Sequence, residues 1–296
     1  MAHLLFAFIC LAWGLSFLLM KKAANSYGPL DIGAFRLLCG ATVLWIIWFV
    51  KGGRFQVTNR DWLPLVMTAW IGSAFPFALQ PYVIRQVQQT GGHGSAFVGM
   101  IIALVPLLTI AMSIPMLSLW PTRRQLTGIF GGLCFMVVLF RDELSHGVSL
   151  SLLGLAALTP LCYAFSNTFI KRRFSGMSPL LLSAITMTVS GLTLLPSCFA
   201  LGSVQINDSF VVSTISLVIL GVFGTGLAGY IFFHLVRIHG PLFASMVAYI
   251  IPCIAVIAGW ADGESVTIGQ LFSLVGILAM VALVQYRKRG SVTNAT

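Results

Sequence analysis

The sequence predicts an all-α integral membrane protein of ten transmembrane helices in two inverted five-helix repeats, residues 1–144 and 145–296. Three observations predict it. The composition is 58% hydrophobic and only 8% charged, with mean hydropathy +0.97, whereas soluble domains carry about 25% charged residues. Ten apolar runs approach the ~20 residues that a helix rising 1.5 Å per residue needs to cross a bilayer. The two halves of the chain can also be laid over one another with few gaps.

In order, the runs are 3–20, 30–50, 62–84, 95–118, 124–140, 149–170, 178–201, 211–235, 241–260 and 266–286. Short connections with turn residues separate them, among them Lys51 to Arg54, Gly91 to Gly94 and Phe174 to Pro179. No room remains for a soluble domain. The first run lacks a basic leader and a small-residue cleavage site, so it is expected to stay as a span. Lys and Arg in short loops are retained on the cytoplasmic side. One side of a ten-span chain would hold twelve of them, including Lys51, Arg54, Arg123, Arg124, Lys171 to Arg173 and Arg287 to Arg289; the other would hold Lys21, Lys22, Arg85 and Arg141. Both termini are therefore expected in the cytoplasm. The net charge of +10 follows from this topology and, lacking a basic stripe with interleaved aromatics, points to no nucleic acid.

The repeat is legible residue by residue. Trp13 to Lys22 lies over Tyr163 to Arg172 at an offset of 150, which also places Pro29 on Pro179. An offset of 146 places Gly94 on Gly240 and Pro106 on Pro252, and one of 145 matches Thr122 and Gln125 with Thr267 and Gln270. Five spans per half is an odd number, so the halves enter the membrane from opposite sides, and such repeats place a site at the midplane between them. Small residues four apart, such as Gly128 and Gly132, or Gly221, Thr225 and Gly229, mark faces where helices approach closely. Pro106 and Pro252 fall about halfway through their spans, each after a small-residue segment. A proline there removes a backbone hydrogen bond and bends the helix, so the pair are candidate hinges.

Candidate site residues come from the polar and aromatic groups of the central spans. Trp13, Ser16 and Phe17 correspond to Tyr163, Ser166 and Asn167, so each half brings an aromatic body and a hydrogen-bonding group to similar depth. Gln80, Tyr82, Tyr230, His234 and Tyr249 join them as residues for a small amphipathic substrate. Arg36 is the one Arg or Lys well inside a predicted span. Its charge costs at least ~2.5–3.5 kcal/mol at such depth, so it is expected to face protein, water or ligand rather than lipid. No Asp or Glu lies mid-span, which argues against a carboxylate proton relay and an acidic cation filter. The six cysteines lack CxxC or paired spacing and read as small buried hydrophobes, with no metal or cofactor implied. Gly14 to Leu18 lacks the second glycine of a nucleophile elbow, and there is no HExxH, so an enzyme is not expected.

The chain resembles the EamA-type members of the drug/metabolite transporter superfamily. The resemblance is carried by Ala12 to Phe17 with Lys21, by Pro29 and Arg36, and by Tyr230 to Arg237, Gly240, Ala244 with Ser245, Pro252, Glu264 to Gln270 and Gly276. It implies a bacterial inner-membrane secondary transporter working by alternating access on a small metabolite, an amino acid or related compound, usually by export. A multidrug or aromatic-compound exporter, and a non-transporting receptor or assembly subunit, are the alternatives. Two positions depart from the pattern: Leu119 stands where the first half should carry an acid like Glu264, and Thr186 stands where the second half should carry a counterpart of Arg36.

Overall fold

The computed structural model describes residues 2–89, 94–145, 148–201, 204–263 and 268–285. Among these there is no strand. The first half contains α1 (Ala2–Ala23), α2 (Pro29–Val50), α3 (Trp62–Ala69), α4 (Phe75–Gln89), α5 (Gly94–Ile102), α6 (Val105–Leu117) and α7 (Arg123–Ser145). The second repeats the order with α8 (Leu150–Arg173), α9 (Pro179–Leu201), α10 (Phe210–Ile219), α11 (Ala228–His239), α12 (Pro241–Ser245), α13 (Val247–Ala261) and α14 (Ile268–Gln285). A π-helical segment, Trp70–Ala74, joins α3 to α4 into one rod, and a second, Leu220–Leu227, joins α10 to α11.

Local chemistry sets several helix starts. Pro29 opens α2 in the first turn, where its missing N–H is not needed, and the Gly28 N–H donates to Asp31 Oδ2 at 3.0 Å. Ser149 caps α8 by accepting from the Leu152 N–H at 3.2 Å. The matched pair Thr122 and Gln125 forms a reciprocal cap on α7: the Thr122 N–H donates to Gln125 Oε1 at 2.9 Å and the Gln125 N–H to Thr122 Oγ1 at 3.3 Å. Thr267, its expected partner in the second half, lies outside the described residues, as does Glu264.

Among the described residues, seven helical stretches are long and apolar enough to cross a membrane, one of them, residues 243–261, running over the turn at Met246. They cover seven of the ten expected spans. The other three fall on the broken pair α5 and α6, on α7 and on α14; length and hydropathy do not carry these, and they stay expectations. The expected mid-span bends are displaced as well. The chain breaks at Ala103 and Leu104, just ahead of Pro106, and at Met246, six residues ahead of Pro252. Both breaks turn on short i to i−3 bonds, from Leu104 N to Ile101 O at 3.0 Å and from Met246 N to Phe243 O at 3.2 Å.

Packing follows the repeat. α2 lies against α9 at the centre, α7 against α14, and the outer pairings exchange halves: α1 packs on α13 while α8 packs on α6. Close approach relies on glycine. A Cβ at Gly40 would stand 2.9 Å from the Gly226 nitrogen, so α2 meets the second π segment backbone to backbone. Large apolar side chains such as Phe49, Phe199, Val211 and Val275 point outward, as a lipid-facing surface requires.

Candidate functional site

Where the two halves meet, the helices enclose a cavity of about 90 Å³. A water needs ~10–15 Å³ by this kind of measure, so the space admits several waters or part of a small solute. Trp13, Ser16, Phe17 and Met20 of α1, Arg36 of α2, and Tyr163, Ser166 and Asn167 of α8 line it. The π segments supply Gly72, Ser73 and Thr225, while both helix breaks border the space through Ile102 and Val105, and through Ser245 and Val247.

The π segments explain much of this geometry. An extra residue in a helical turn frees carbonyls from their usual i+4 partners. The Trp13 indole N–H donates to Gly224 O at 2.9 Å, and Thr225 Oγ1 donates to Leu220 O at 3.0 Å. The serines use the glycines of these segments reciprocally. Ser16 of the first half sits against Gly224 of the second, and Ser166 of the second against Gly72 of the first. Trp13 is further packed on Phe232, with ring centroids 4.9 Å apart. Across the cavity Gln80 Nε2 donates to the Tyr163 hydroxyl at 2.9 Å.

Arg36 is 2% exposed. Its Nε donates to Thr225 Oγ1 at 2.9 Å, one terminal nitrogen approaches Met20 Sδ at 3.1 Å, and the guanidinium lies 4.2 Å from the Phe77 ring centroid. Among the described residues the ion pairs join Lys21 and Lys22 to Asp262 and Arg173 to Asp61, and none involves Arg36. No group of three His, Cys, Asp or Glu side chains suited to a metal occurs among the described residues.

Of the candidates, Trp13, Ser16, Phe17, Arg36, Gln80, Tyr163 and Asn167 come together in the cavity. Four do not, which corrects the expectation that they share one space. Tyr82 is 41% exposed on an outward groove beside Arg85; it is two residues from Gln80, hence on the far side of α4. α11 turns Gly229, Phe232 and Phe233 inward at helical spacing, which leaves Tyr230 and His234 packed on each other at a tilt of 40°, 6.3 Å between centroids, on a neighbouring face. Tyr249 is buried, but its ring packs toward Gly132 of α7 and its hydroxyl finds no partner. Ala248 and Ile251 take the cavity face of α13 instead. Pro106, just past its break, and Pro252, six residues beyond its own, are both buried and do not line the cavity.

Sequence reasoning missed Phe77, Phe232 and Phe233. The signal was available, since Ser73, Phe77 and Gln80 recur at the four-and-three spacing of one helical face.

The sequence profile of the EamA-like transporter family matches residues 1–141 and 150–286. The chain is similar to a protein described as an uncharacterized transporter in the trpA 3′ region of Buchnera aphidicola subsp. Schlechtendalia chinensis, 23% identical over 285 residues covering 95% of this chain and 91% of that one. It is also similar to the uncharacterized transporter YoaV of Bacillus subtilis, at 21% over 91% of this chain and 92% of the relative. The uncharacterized inner membrane transporter YedA of Escherichia coli K12 matches at 24% over 93% and 88%. A crystal structure with 17% identity superposes with a TM-score of 0.73 over 96% of both chains, which fixes the fold alone.

Proposed function

This chain belongs to the EamA-like transporter family and is a multi-pass membrane transporter; from that premise we propose that it is a secondary transporter carrying a small amphipathic metabolite, an amino acid or related compound, by alternating access. The direction we propose is export across a bacterial inner membrane, with both termini cytoplasmic. One observation carries the reading: a cavity between the halves, lined by aromatic faces and a few polar groups, with a broken helix at its edge in each half. Small-molecule sites have this mix of apolar wall and sparse polar groups, and irregular backbone in membrane proteins is placed where it borders a cavity. In the present state the space is tight for a whole metabolite. Motion at the breaks is what would admit one.

Trp13, Phe17, Tyr163 and Phe232 offer ring faces, while Ser16, Gln80, Asn167 and Arg36 fix orientation. Six aromatic side chains in the lining also favour a second reading, an exporter of flat aromatic compounds. Purified protein in proteoliposomes, loaded in turn with labelled amino-acid, organic-acid and aromatic-compound pools, tests both readings. Saturable flux of one pool is expected. Folded protein that moves none of them would return the chain to a receptor or assembly role. Tags in the Arg54 loop and near Asp208 test the orientation, the first reacting only from the cytoplasm and the second only from outside.

A further inference from the structure

The charge of Arg36 is unbalanced at the place where a substrate would lie. The residue lines the cavity, is 2% exposed, and is surrounded by a hydroxyl, a thioether and a ring face. None of these neutralises a guanidinium. A buried charge is normally paired, because taking it out of water is expensive and weak neutral partners recover only part of the loss. The acid closest along the same helix, Asp31, accepts from the Gly28 N–H at the helix start and does not border the cavity. Among the described residues no Asp or Glu lines the cavity.

A second polar group lines the same cavity. Asn167 of α8 is 5% exposed there. Its amide can both donate and accept, which suits an uncharged polar group. Phe17, Phe77, Phe232 and Ile251 add aromatic and aliphatic lining to the same space.

We propose that Arg36 is the counter-ion for a substrate carboxylate, and that the transported solute is an organic monoanion: one carboxylate on Arg36, an apolar body against the rings, and an uncharged polar group toward Asn167. This rests on the transporter reading above and narrows it. A guanidinium offers paired donors matched to the two oxygens of a carboxylate. Thr225 holds Nε and so aims the terminal nitrogens; it acts as a positioning residue. An amino-acid zwitterion would place its ammonium where no acid waits, whereas the same molecule with an acylated nitrogen would fit. The inverted repeat sharpens the point, since the position matching Arg36 is Thr186, whose hydroxyl donates back to Leu182 O at 2.9 Å. The site is therefore charged at one end only.

The test uses three matched probes, 3-phenylpropanoate, 3-phenylpropanamide and phenylalanine, together with N-acetylphenylalanine, in thermal-shift binding and proteoliposome counterflow on the full chain. The two carboxylates without a charged nitrogen should bind and move, with the amide and the zwitterion weaker by tenfold or more. Arg36→Gln should remove that selectivity, lowering carboxylate affinity by on the order of 100-fold, the scale of breaking a buried ion pair. Arg36→Lys should recover part of it. Thr225→Val keeps the charge and should weaken carboxylate binding while preserving the preference for acid over amide. That variant keeps the test decisive if Arg36→Gln does not fold. Equal handling of acid and amide by the parent, unchanged selectivity in Arg36→Gln, or absence of any carboxylate shift would each overturn the assignment. Flux of a neutral or cationic pool in the same vesicles would then leave the transporter reading standing, and absence of flux from every pool would remove both.

Discussion

Positions 40 and 190 hold the same place in the two halves, and the halves treat it differently. Gly40 of α2 lets two backbones touch, with Gly226 of the second π segment against it. Ser190 of α9 instead uses its hydroxyl, 2.7 Å from Ala69 O at the edge of the first π segment and 2.7 Å from Thr186 O of its own helix. Similar divergence recurs at positions 13 and 163, where an indole donates to a freed carbonyl in one half and a phenol accepts from Gln80 in the other. Arg36 and Thr186 make the contrast in charge. Backbone architecture has been kept twice, while hydrogen bonding and charge have been assigned to one side or the other. A symmetric frame with a polarised interior suits a solute that has a head and a tail.

The first way to break that comparison is to exchange the two packing solutions. Gly40→Leu would force a side chain into a backbone contact that has no flexible neighbour to yield, and overpacking of this kind costs about 3 kcal/mol or more. Ser190→Ala removes one buried hydroxyl that donates toward two backbone carbonyls, a loss of about 1 kcal/mol. Detergent melts and monodisperse yield should separate the two clearly, with Gly40→Leu losing most of its folded protein. Equal melting of both variants would mean that the two π segments are packed alike.

Much of the frame was legible because its signals are local. Apolar runs, turn residues and an offset of 150 suffice to find the rods and the repeat. The π segments were not legible, since a one-residue insertion in a helix leaves hydropathy untouched; Gly221, Thr225 and Gly229 read only as a packing face. That insertion creates the carbonyls that Trp13 and Thr225 use. Half the site was therefore visible as residue types but not as contacts. Tyr82, Tyr230, His234 and Tyr249 were misplaced for a related reason: the sequence shows which run a residue belongs to, but not the rotation of each helix. Rotation depends on which neighbours surround the helix, and only packing supplies it.

The prolines sharpen the comparison at the next level of effect. They match in the repeat but not in their helices. Pro106 stands in the first turn of α6, where its N–H would be unpaired in any case, while Pro252 sits inside α13 and leaves the Ala248 carbonyl without its usual donor. If the breaks serve as hinges, the burden falls on the second half. Pro252→Ala restores one backbone bond worth ~1 kcal/mol and should slow turnover about three- to tenfold. Pro106→Ala should change it by less than about twofold, with binding preserved in both. Initial-rate counterflow at matched protein density reads this directly. Parental rates in Pro252→Ala would make both prolines packing features.

The smallest expected effect concerns the ends of the exchanged helix pairs. At the end of α1, Lys21 and Lys22 reach Asp262 at the end of α13, at 3.2 and 3.1 Å. The corresponding end of α8 does not tie to α6; Lys171 donates to Arg237 O at 2.6 Å, and Arg173 pairs with Asp61 at 2.8 Å. One seam is thus clamped by charge and its counterpart is not. Partial burial works against ionisation of Asp262, but the hydrogen bonds and charges of the two lysines outweigh it and hold the carboxyl below its ordinary value. A depressed carboxyl stabilises the folded state fully above the unfolded pKa of ~3.9, and the contribution disappears as the pH falls through the lower folded value. Lys22 is 40% exposed, so the pair is screened and worth about 0.3–1 kcal/mol. Asp262→Asn should therefore melt slightly below the parent from pH 8 down to about 5, with the gap closing below about pH 4. High salt should narrow the same gap at neutral pH, since the charges lie near the surface. A gap that persisted at pH 3 would assign the role of Asp262 to its helix-end hydrogen bonding rather than to the clamp between α1 and α13.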